Sequence, residues 1–468
     1  MSGGARPTGE ARWGGGPRST GRFHGERAVI VGAGVAGSSA ARVLMAEGAT
    51  VRVTEARPDS ELSTVAALRD AGVEMLTGGH DPSHLEGATL VVTGPGVPER
   101  APVLGWARAR GLPVWGEMEL GARLADAPYV AVTGTNGKTT TTGMIESCLR
   151  AGGVDAVACG NIGHPFPEAA REGHEALVVE CSSFQLRLQE SFHPRVSVLL
   201  NLAPDHIDEH GSFEAYADAK ARIFARQVIG DTHVGNRDDE IAAARSAGAP
   251  CDIVWFRAGA PGDGEVGYDV EGMVSRLAAR PERLGTIDGS AGLRADAAAA
   301  AAASLAFGIS ARAIGDALAG FVPAPHRGQV AAVIDGIRFI DDSKATNVHA
   351  ALAAIDGLHD AVLIAGGLAK GVDLSPLATR ADRLRAVIAM GDAAAELTRV
   401  FEGVRPVHQA DSIEDAVRTA FDLAGSGGTV VLAPACASWD QFRDYAERGD
   451  RFTDAARGLQ EEVGADGG

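Results

Sequence analysis

The sequence predicts an α/β chain of three domains: a Rossmann-like first domain, a central domain of the P-loop ATPase type and a Rossmann-like third. Three observations lead there. Strand-length apolar runs alternate with helical stretches along most of the chain, the pattern of open, largely parallel sheets. A glycine-rich turn follows the first strand, and a Gly-Lys-Thr turn follows a later one. The 468 residues exceed one ordinary core, and an apolar share of 45% is enough to fill several.

Residues 1–26 hold repeated Gly with Arg6, Arg12, Arg18 and Arg22 and lack the apolar core of a secretory signal, so they read as a flexible basic tail. The first domain is placed at 27–121. Its strand at 28–31 runs into Gly32-Ala-Gly-Val-Ala-Gly37, then a helical stretch to Glu47, then a strand at 50–54 with Glu55 just beyond. Strand, glycine turn, helix and strand make a βαβ unit. A further apolar run at 89–92 leads into Gly94-Pro95-Gly96. By itself, the glycine turn with Glu55 also fits a dinucleotide fingerprint.

The second domain is placed at 122–323. A strand at 129–132 enters Thr133-Gly134-Thr135-Asn136-Gly137-Lys138-Thr139-Thr140, and a helix follows. Backbone N–H groups and the helix N-terminus can cradle phosphates, Lys138 can neutralise their oxygens, and Thr139 can reach Mg²⁺. The general P-loop has Gly five positions before Gly137; Val132 stands there, so this is a tighter variant. Strands at 176–179 and 196–200 lead to Glu180 and to Asp205-His206, metal-friendly groups at the carboxyl ends of strands, where ligands gather. The stretch 259–272 reads as loop, and Asp296 with the seven alanines after it begins a long helix. Lys220, in a helical stretch, reads on composition as a surface lysine.

Pro323 and Pro325 form a hinge before His326, and the third domain, 324–468, shows strands at 337–340, 361–365, 386–389 and 429–432 between Ala-rich helices. The chain carries 43 Lys and Arg against 61 Asp and Glu, a net charge of −18, which argues against nucleic acid as a partner. No uninterrupted apolar stretch reaches the ~18 residues of a membrane span. Five cysteines (Cys148, Cys159, Cys181, Cys251, Cys436) form no CxxC pair, so idle or buried thiols in a reducing cytosol are expected, and with them a cytoplasmic location.

With these residues in place the chain resembles the Mur ligase family, and its D-glutamate-adding branch in particular. The strings that carry the resemblance are Thr133-Gly-Thr-Asn-Gly-Lys-Thr-Thr140, Gly160-Asn-Ile-Gly163, Glu180-Cys-Ser-Ser-Phe-Gln-Leu186, Asp205-His-Ile-Asp208, Ala219-Lys-Ala-Arg-Ile223, His326-Arg327, Asp341-Asp-Ser-Lys-Ala-Thr-Asn347, Ala433-Pro-Ala-Cys-Ala-Ser438 and Arg448-Gly-Asp-Arg-Phe452. They keep the family's order over most of the chain. The phosphate loop is shared by all Mur ligases and by folylpolyglutamate synthetases; the other long strings are more specific.

The resemblance implies a UDP-binding first domain, an ATP-binding second and an amino-acid-binding third, acting as a monomer on UDP-N-acetylmuramoyl-L-alanine, D-glutamate and ATP. Val35, Ala36, Glu55, Arg57, Gly96, Asn161, Ser182, Ser183 and Gln185 would line the UDP-substrate site. Residues 134–140 with Arg327 and Asp342 would hold ATP. Thr139, Glu180, His206 and a carbamylated Lys220 would arrange two Mg²⁺ ions, since a carbamate is an anionic ligand where an ammonium would repel the metal. Thr346, Lys370, Ser438 and Tyr445 would bind the amino acid, and Lys138 and Lys344 would stabilise the transferred phosphate. The implied reaction passes through an acyl phosphate, with His206 or a water as base.

Three departures stand out. The family's Gly-x-His-Asn-x-x-Asn motif, on the adenine side of ATP, reads Gly292-Leu-Arg294-Ala295-Asp296-Ala-Ala298 here; Gly328-Gln329 replaces Leu-Glu after Arg327; and Asp341 replaces an Asn. Three rival readings follow at this point: a related ligase for another amino acid, a non-catalytic homologue that binds the nucleotide-sugar, and a Rossmann oxidoreductase.

Overall fold

The computed structural model of the chain describes residues 21–287 and 291–466. Most of the expected tail lies outside the described residues. Its last part, 21–26, is packed rather than loose. Phe23 is buried edge-on against Trp115, ring centroids 6.1 Å apart, and Arg22 donates to the Arg123 and Leu124 carbonyls and pairs with Asp126 at 2.6 Å. One aromatic ring and one guanidinium anchor a segment whose composition reads as tail.

By internal contacts the chain divides into two compact units, residues up to Tyr129 with Asp155–His193, and Val130–Val154 with Pro194–Gly468. In the first unit β1 (Arg27–Val31), β2 (Thr50–Thr54), β3 (Glu74–Leu76), β4 (Leu90–Thr93) and β5 (Val114–Gly116) form a parallel sheet in the order β3-β2-β1-β4-β5. Ile30 and Val92 enter one apolar core and Val29, Val31 and Val91 the other, so both faces are covered and the strands read as unbroken apolar runs. Strand order reverses between β1 and β4, which opens a crevice beyond their carboxyl ends. The helix Val35–Ala46 starts there. A Cβ on Gly37 would lie 1.9 Å from the Gly32 carbonyl oxygen, so only glycine lets the helix leave the strand at this angle.

Next come β6 (Tyr129–Thr133), β7 (Ala156–Gly160) and β8 (Ala176–Glu180); β7 and β8 pair in parallel within the first unit. In the second unit, β9 (Val196–Leu199), β10 (Thr232–Asn236), β11 (Asp252–Phe256), β12 (Glu265–Asp269), β13 (Gly272–Ser275) and β14 (Glu282–Arg283) follow β6 in a run ordered β14-β13-β12-β11-β10-β9-β6. Pairing is parallel from β6 through β12 and antiparallel from there to β14.

Two expectations are corrected here. The glycine-rich stretch 259–272 is not all loop, because β12 lies inside it. Gly267 is a strand residue whose missing side chain admits the Gly259 carbonyl, 2.3 Å from where a Cβ would sit. The Ala-rich helix begins at Ala291, five residues before Asp296, and runs to Phe307. Ala297–303 are fully buried, and their small side chains let this helix pack closely on the helix Lys138–Ala151.

The third sheet joins β15 (Gln329–Ile334), β16 (Ile337–Asp341), β17 (Ala361–Gly366), β18 (Leu384–Met390), β19 (Val407–Ala410) and β20 (Thr429–Leu432) in the order β15-β16-β20-β17-β18-β19. Alternate residues feed two cores, Leu363, Ala365 and Val431 on one face and Val362, Ile364, Val430 and Leu432 on the other. Cys148, Cys159, Cys181 and Cys436 are buried free thiols and Cys251 is half-buried. Among the described residues no helix is long and apolar enough to cross a membrane.

Candidate active site

The phosphate loop leaves β6 and is strapped to the segment after β9. Thr135 N–H donates to the Asn201 carbonyl at 2.9 Å, Asn136 N–H donates to Asn201 Oδ1 at 2.8 Å, and Asn201 Nδ2 donates back to the Asn136 carbonyl at 3.1 Å. A Cβ on Gly134 would lie 2.8 Å from Leu200 Cβ. Gly137, at φ +83°, would bring one to 2.1 Å from an Asp296 carboxylate oxygen. Both positions therefore demand glycine. Lys138 Nζ donates to the Gly134 and Thr135 carbonyls at 3.0 and 2.9 Å, and Thr139 and Thr140 fill the first turn of the helix. The loop thus holds its lysine folded inward over a ring of backbone dipoles.

Lys220 is not a surface residue. It is 2% exposed, its Nζ donates to the Gly134 carbonyl at 2.7 Å, and it lies 4.8 Å from the Tyr216 ring centroid. Tyr216 in turn bonds Thr135 Oγ1 at 3.0 Å, so both residues brace the loop. His206 adopts a left-handed backbone at φ +53°, an uncommon conformation for a non-glycine residue. Burial lowers its pKa, aided by Lys370 and Lys220 and opposed by Asp205 and Asp208, which favours the neutral imidazole a metal needs.

In the first unit, Glu180 ends β8 and is 2% exposed. Its Oε1 accepts from Asn161 Nδ2 at 2.9 Å, whereas Oε2 is buried without a hydrogen-bond partner among the described residues. A buried carboxylate oxygen left over in this way fits a cation ligand. Among the described residues no three His, Cys, Asp or Glu side chains form a ready-made metal cage.

Arg327 faces two carboxyl groups, Asp296 and Asp342. Burial raises each to about 7, with Arg327 opposing the shift in both. Asn136 is tied to the third-sheet region as well: Asn347 Nδ2 donates to Asn136 Oδ1 at 2.9 Å, and Asn136 Nδ2 lies 2.9 Å from His349 Nδ1. Asn347 also caps the helix Val348–Asp356 through Ala350 N–H. Lys344 Nζ sits 3.5 Å from the Tyr445 ring centroid, and Lys370 Nζ 4.4 Å from that of Trp439. The loop bearing Lys370 is stitched to Ala437, next to the buried Ser438, by two backbone hydrogen bonds through Leu368. Thr346 follows on the Lys344 turn, where its N–H bonds the Lys344 carbonyl.

Arg448 is a residue that sequence reasoning quoted in a string but gave no role. It is 1% exposed, and its guanidinium donates to Ser343 Oγ, Ser343 O and Cys436 O at 3.0, 2.9 and 3.2 Å. Ser343 Oγ passes its proton on to the Tyr445 carbonyl at 2.7 Å. One buried cation thereby ties together the loops carrying Lys344, Ser438 and Tyr445. The Asp341 departure has a partner too, since its Oδ2 lies 2.6 Å from His326 Nδ1.

The first unit contains a cavity of about 600 Å³ at the switch point of its sheet. Among its lining residues are Val35, Ala36, Glu55, Arg57, Gly96, Asn161 and Gln185, which the resemblance would give to the UDP-substrate site. Ser182 and Ser183 do not; Ser182 instead exchanges hydrogen bonds with Gln185, its N–H to Oε1 at 2.8 Å and its hydroxyl accepting from Gln185 N–H at 3.2 Å. Glu55 spends its carboxylate on Ala33 N–H and on Arg57, which holds its pKa down to about 2 although burial works the other way. Two titratable lining residues went unseen in the sequence, Glu117 and His80. Neither lies in a recognisable string.

A strapped phosphate loop on one α/β sheet and a switch-point cavity on another are the marks of a nucleotide-binding α/β protein. Family models described as Mur ligase MurD-like N-terminal domain, Mur ligase middle domain, and Mur ligase glutamate ligase domain match residues 26–116, 132–272 and 326–436. The chain is 45% identical to the UDP-N-acetylmuramoylalanine–D-glutamate ligase of Frankia casuarinae, over 92% of this chain and 93% of that one. The ligases of the same name from Syntrophotalea carbinolica and Streptomyces avermitilis are each 39% identical, covering 94% and 93% of this chain and 99% of theirs. The chain belongs to the Mur ligase family. The same fold recurs in a pseudomurein peptide ligase type C from Methanothermus fervidus (TM-score 0.59, 19% identity, 93% of this chain and 100% of that one). It recurs also in UDP-N-acetylmuramate-alanine ligase from Thermotoga maritima (TM-score 0.57, 18% identity, 92% and 99%).

Proposed function

We propose that the protein is an ATP-dependent ligase that joins D-glutamate to UDP-N-acetylmuramoyl-L-alanine in peptidoglycan precursor synthesis. The observation that carries this reading is similarity to D-glutamate ligases over more than nine tenths of the chain, supported by a Gly-Lys-Thr phosphate loop between β6 and the helix Lys138–Ala151. Residues 27–121 would bind the UDP substrate, 122–323 ATP, and 324–468 the amino acid.

In this reading the alanyl carboxylate attacks the γ-phosphorus, ADP leaves, and an acyl phosphate forms. The glutamate amine then attacks the acyl carbon and expels inorganic phosphate, its surplus proton passing to His206 or a water. Two anions meet in the first step, so the barrier is electrostatic. Lys138, Arg327 and Lys344 supply positive charge. Thr139, Glu180, His206 and Lys220, carbamylated by CO₂ with loss of a proton, would hold Mg²⁺. When bound, Mg²⁺ neutralises the oxygens of the transferred phosphate. Asp342 would help hold ATP, and Lys370, Thr346, Ser438 and Tyr445 the glutamate. A cytoplasmic monomer completes the reading.

The test is phosphate release with Mg²⁺, ATP and UDP-N-acetylmuramoyl-L-alanine, comparing D-glutamate, L-glutamate and no amino acid. Release that requires D-glutamate supports the reading; release with another amino acid alone replaces the substrate. One observation favours a second reading. Ala295 and Ala298 stand where the family's motif has Asn, so a non-catalytic nucleotide-sugar binder would show binding with no release.

A further inference from the structure

The cavity of the first unit needs a residue to read the nucleobase, and Glu55 has no oxygen to spare for it. Its Oε2 accepts from Ala33 N–H at 2.8 Å and from Arg57 Nη2 at 3.1 Å, and its Oε1 from Arg57 N–H and Nε at 3.0 and 3.2 Å. The acid builds the loop after β2 and leaves the base unread.

His80 lines the same end of the cavity. Its Nδ1 lies 2.9 Å from Thr54 Oγ1, and the same hydroxyl lies 2.9 Å from His84 Nδ1. Thr54 is fully buried, so these contacts account for its hydroxyl. A hydroxyl owns one proton; it donates to one imidazole and accepts from the other. The choice is made at His84. That residue closes a capping box in which Asp81 N–H points at His84 Nδ1, at 3.4 Å, so His84 Nδ1 bears a lone pair. Thr54 therefore donates to His84. The proton between Thr54 and His80 must then belong to His80 Nδ1, which leaves His80 Nε2 as an acceptor.

Burial lowers the His80 pKa, with His84 adding to the shift and Glu55 opposing it, so that lone pair persists near neutral pH. Nucleotide placement follows from the fold. A diphosphate belongs at the N-terminus of the helix Val35–Ala46, and its nucleoside over the end of β2, beside Glu55, Arg57 and His80.

We propose that His80 is the specificity-determining residue for the nucleobase, accepting the N3–H of a uracil imide through Nε2. Cytosine presents a lone pair at N3, so two acceptors would face each other in a half-buried site. This inference rests on the uridine-nucleotide reading above.

The experiment measures binding of UDP and CDP to the full chain and to His80→Phe and His80→Gln by calorimetry. The wild type is expected to prefer UDP by roughly tenfold or more, the scale of one buried hydrogen bond. His80→Phe should bring the two within about twofold, and so should His80→Gln, whose amide can turn its oxygen to uracil N3–H or its NH2 to cytosine N3. An unchanged UDP/CDP ratio in His80→Phe overturns the proposal. A variant that fails to fold is bypassed by ¹⁵N spectra of wild-type His80, which should show protonated Nδ1 and an Nε2 resonance that moves with UDP and stays with CDP. Protonated Nε2 in the free protein also overturns it. D-glutamate-dependent phosphate release alongside either negative result sinks the His80 proposal alone. A wild type that binds neither UDP nor the UDP-substrate removes the uridine reading and the proposal with it.

Discussion

Glu117 is a side chain whose replacement should have a strongly pH-dependent effect. It is 5% exposed on the wall of the first unit's cavity, and Gln185 Nε2 donates to its Oε1. Burial raises its pKa from 4.5 to about 7, with the Gln185 bond pulling the other way. A carboxyl group whose pKa is raised by folding binds its proton more tightly in the native state. Stability is therefore full below pH 4.5, falls as pH rises from 4.5 to about 7, and stays reduced above that. At 1.36 kcal/mol per pH unit, that interval amounts to ~3 kcal/mol. Glu117→Gln keeps the shape and an acceptor for Gln185 but has nothing to ionise. The variant should exceed wild type by only about 1 kcal/mol at pH 5 and by ~3 kcal/mol at pH 8, the latter seen as a rise of roughly 6–12 °C in the melting of a unit of this size. Thermal melts of ligand-free protein across pH 5–8.5 check this. A difference between variant and wild type that does not change with pH would refute the reasoning, because it would mean Glu117 ionises in the fold as freely as in the unfolded chain.

Lys138→Ala should lower phosphate release by about 10²–10³-fold, measured beside the melting temperature so that a folding defect is told apart from a lost charge. Lys220→Ala should be inactive and partly restored by acetate or formate; failure of rescue together with full activity of wild type in CO₂-free buffer would remove the carbamate. Arg448→Ala leaves buried carbonyls of Ser343 and Cys436 without their donor and should destabilise the third-sheet region by roughly 3 kcal/mol, measured by urea unfolding followed through Trp439. Asn347→Ala removes both a helix cap and a bond to Asn136 and should cost ~1–2 kcal/mol, with a weaker apparent affinity for ATP in the same titration.

The phosphate loop, Glu180 and the β1 glycine turn were legible because their chemistry is local: spacing along the chain fixes which backbone groups converge. Strand positions such as 89–92 and 429–432 were legible because strands of a parallel sheet covered on both faces are apolar nearly throughout. β12 was not, because its Gly267 lies in a glycine-rich stretch and takes strand geometry only from the neighbours that pair with it. Lys220 shows the limit best. In sequence it sits among Ala, Asp and Arg on an ordinary helix; in the fold it is buried with its Nζ on the Gly134 carbonyl, 86 positions away. Arg448, Glu117 and His80 are alike in this. Each draws its meaning from partners distant in the chain or from a hydrogen-bond network whose proton positions follow from what encloses it. The sequence alone determined the class of fold, the nucleotide chemistry and the family. Tertiary structure alone decided which polar groups lose water, because burial depends on what packs against a side chain and no spacing rule encodes that.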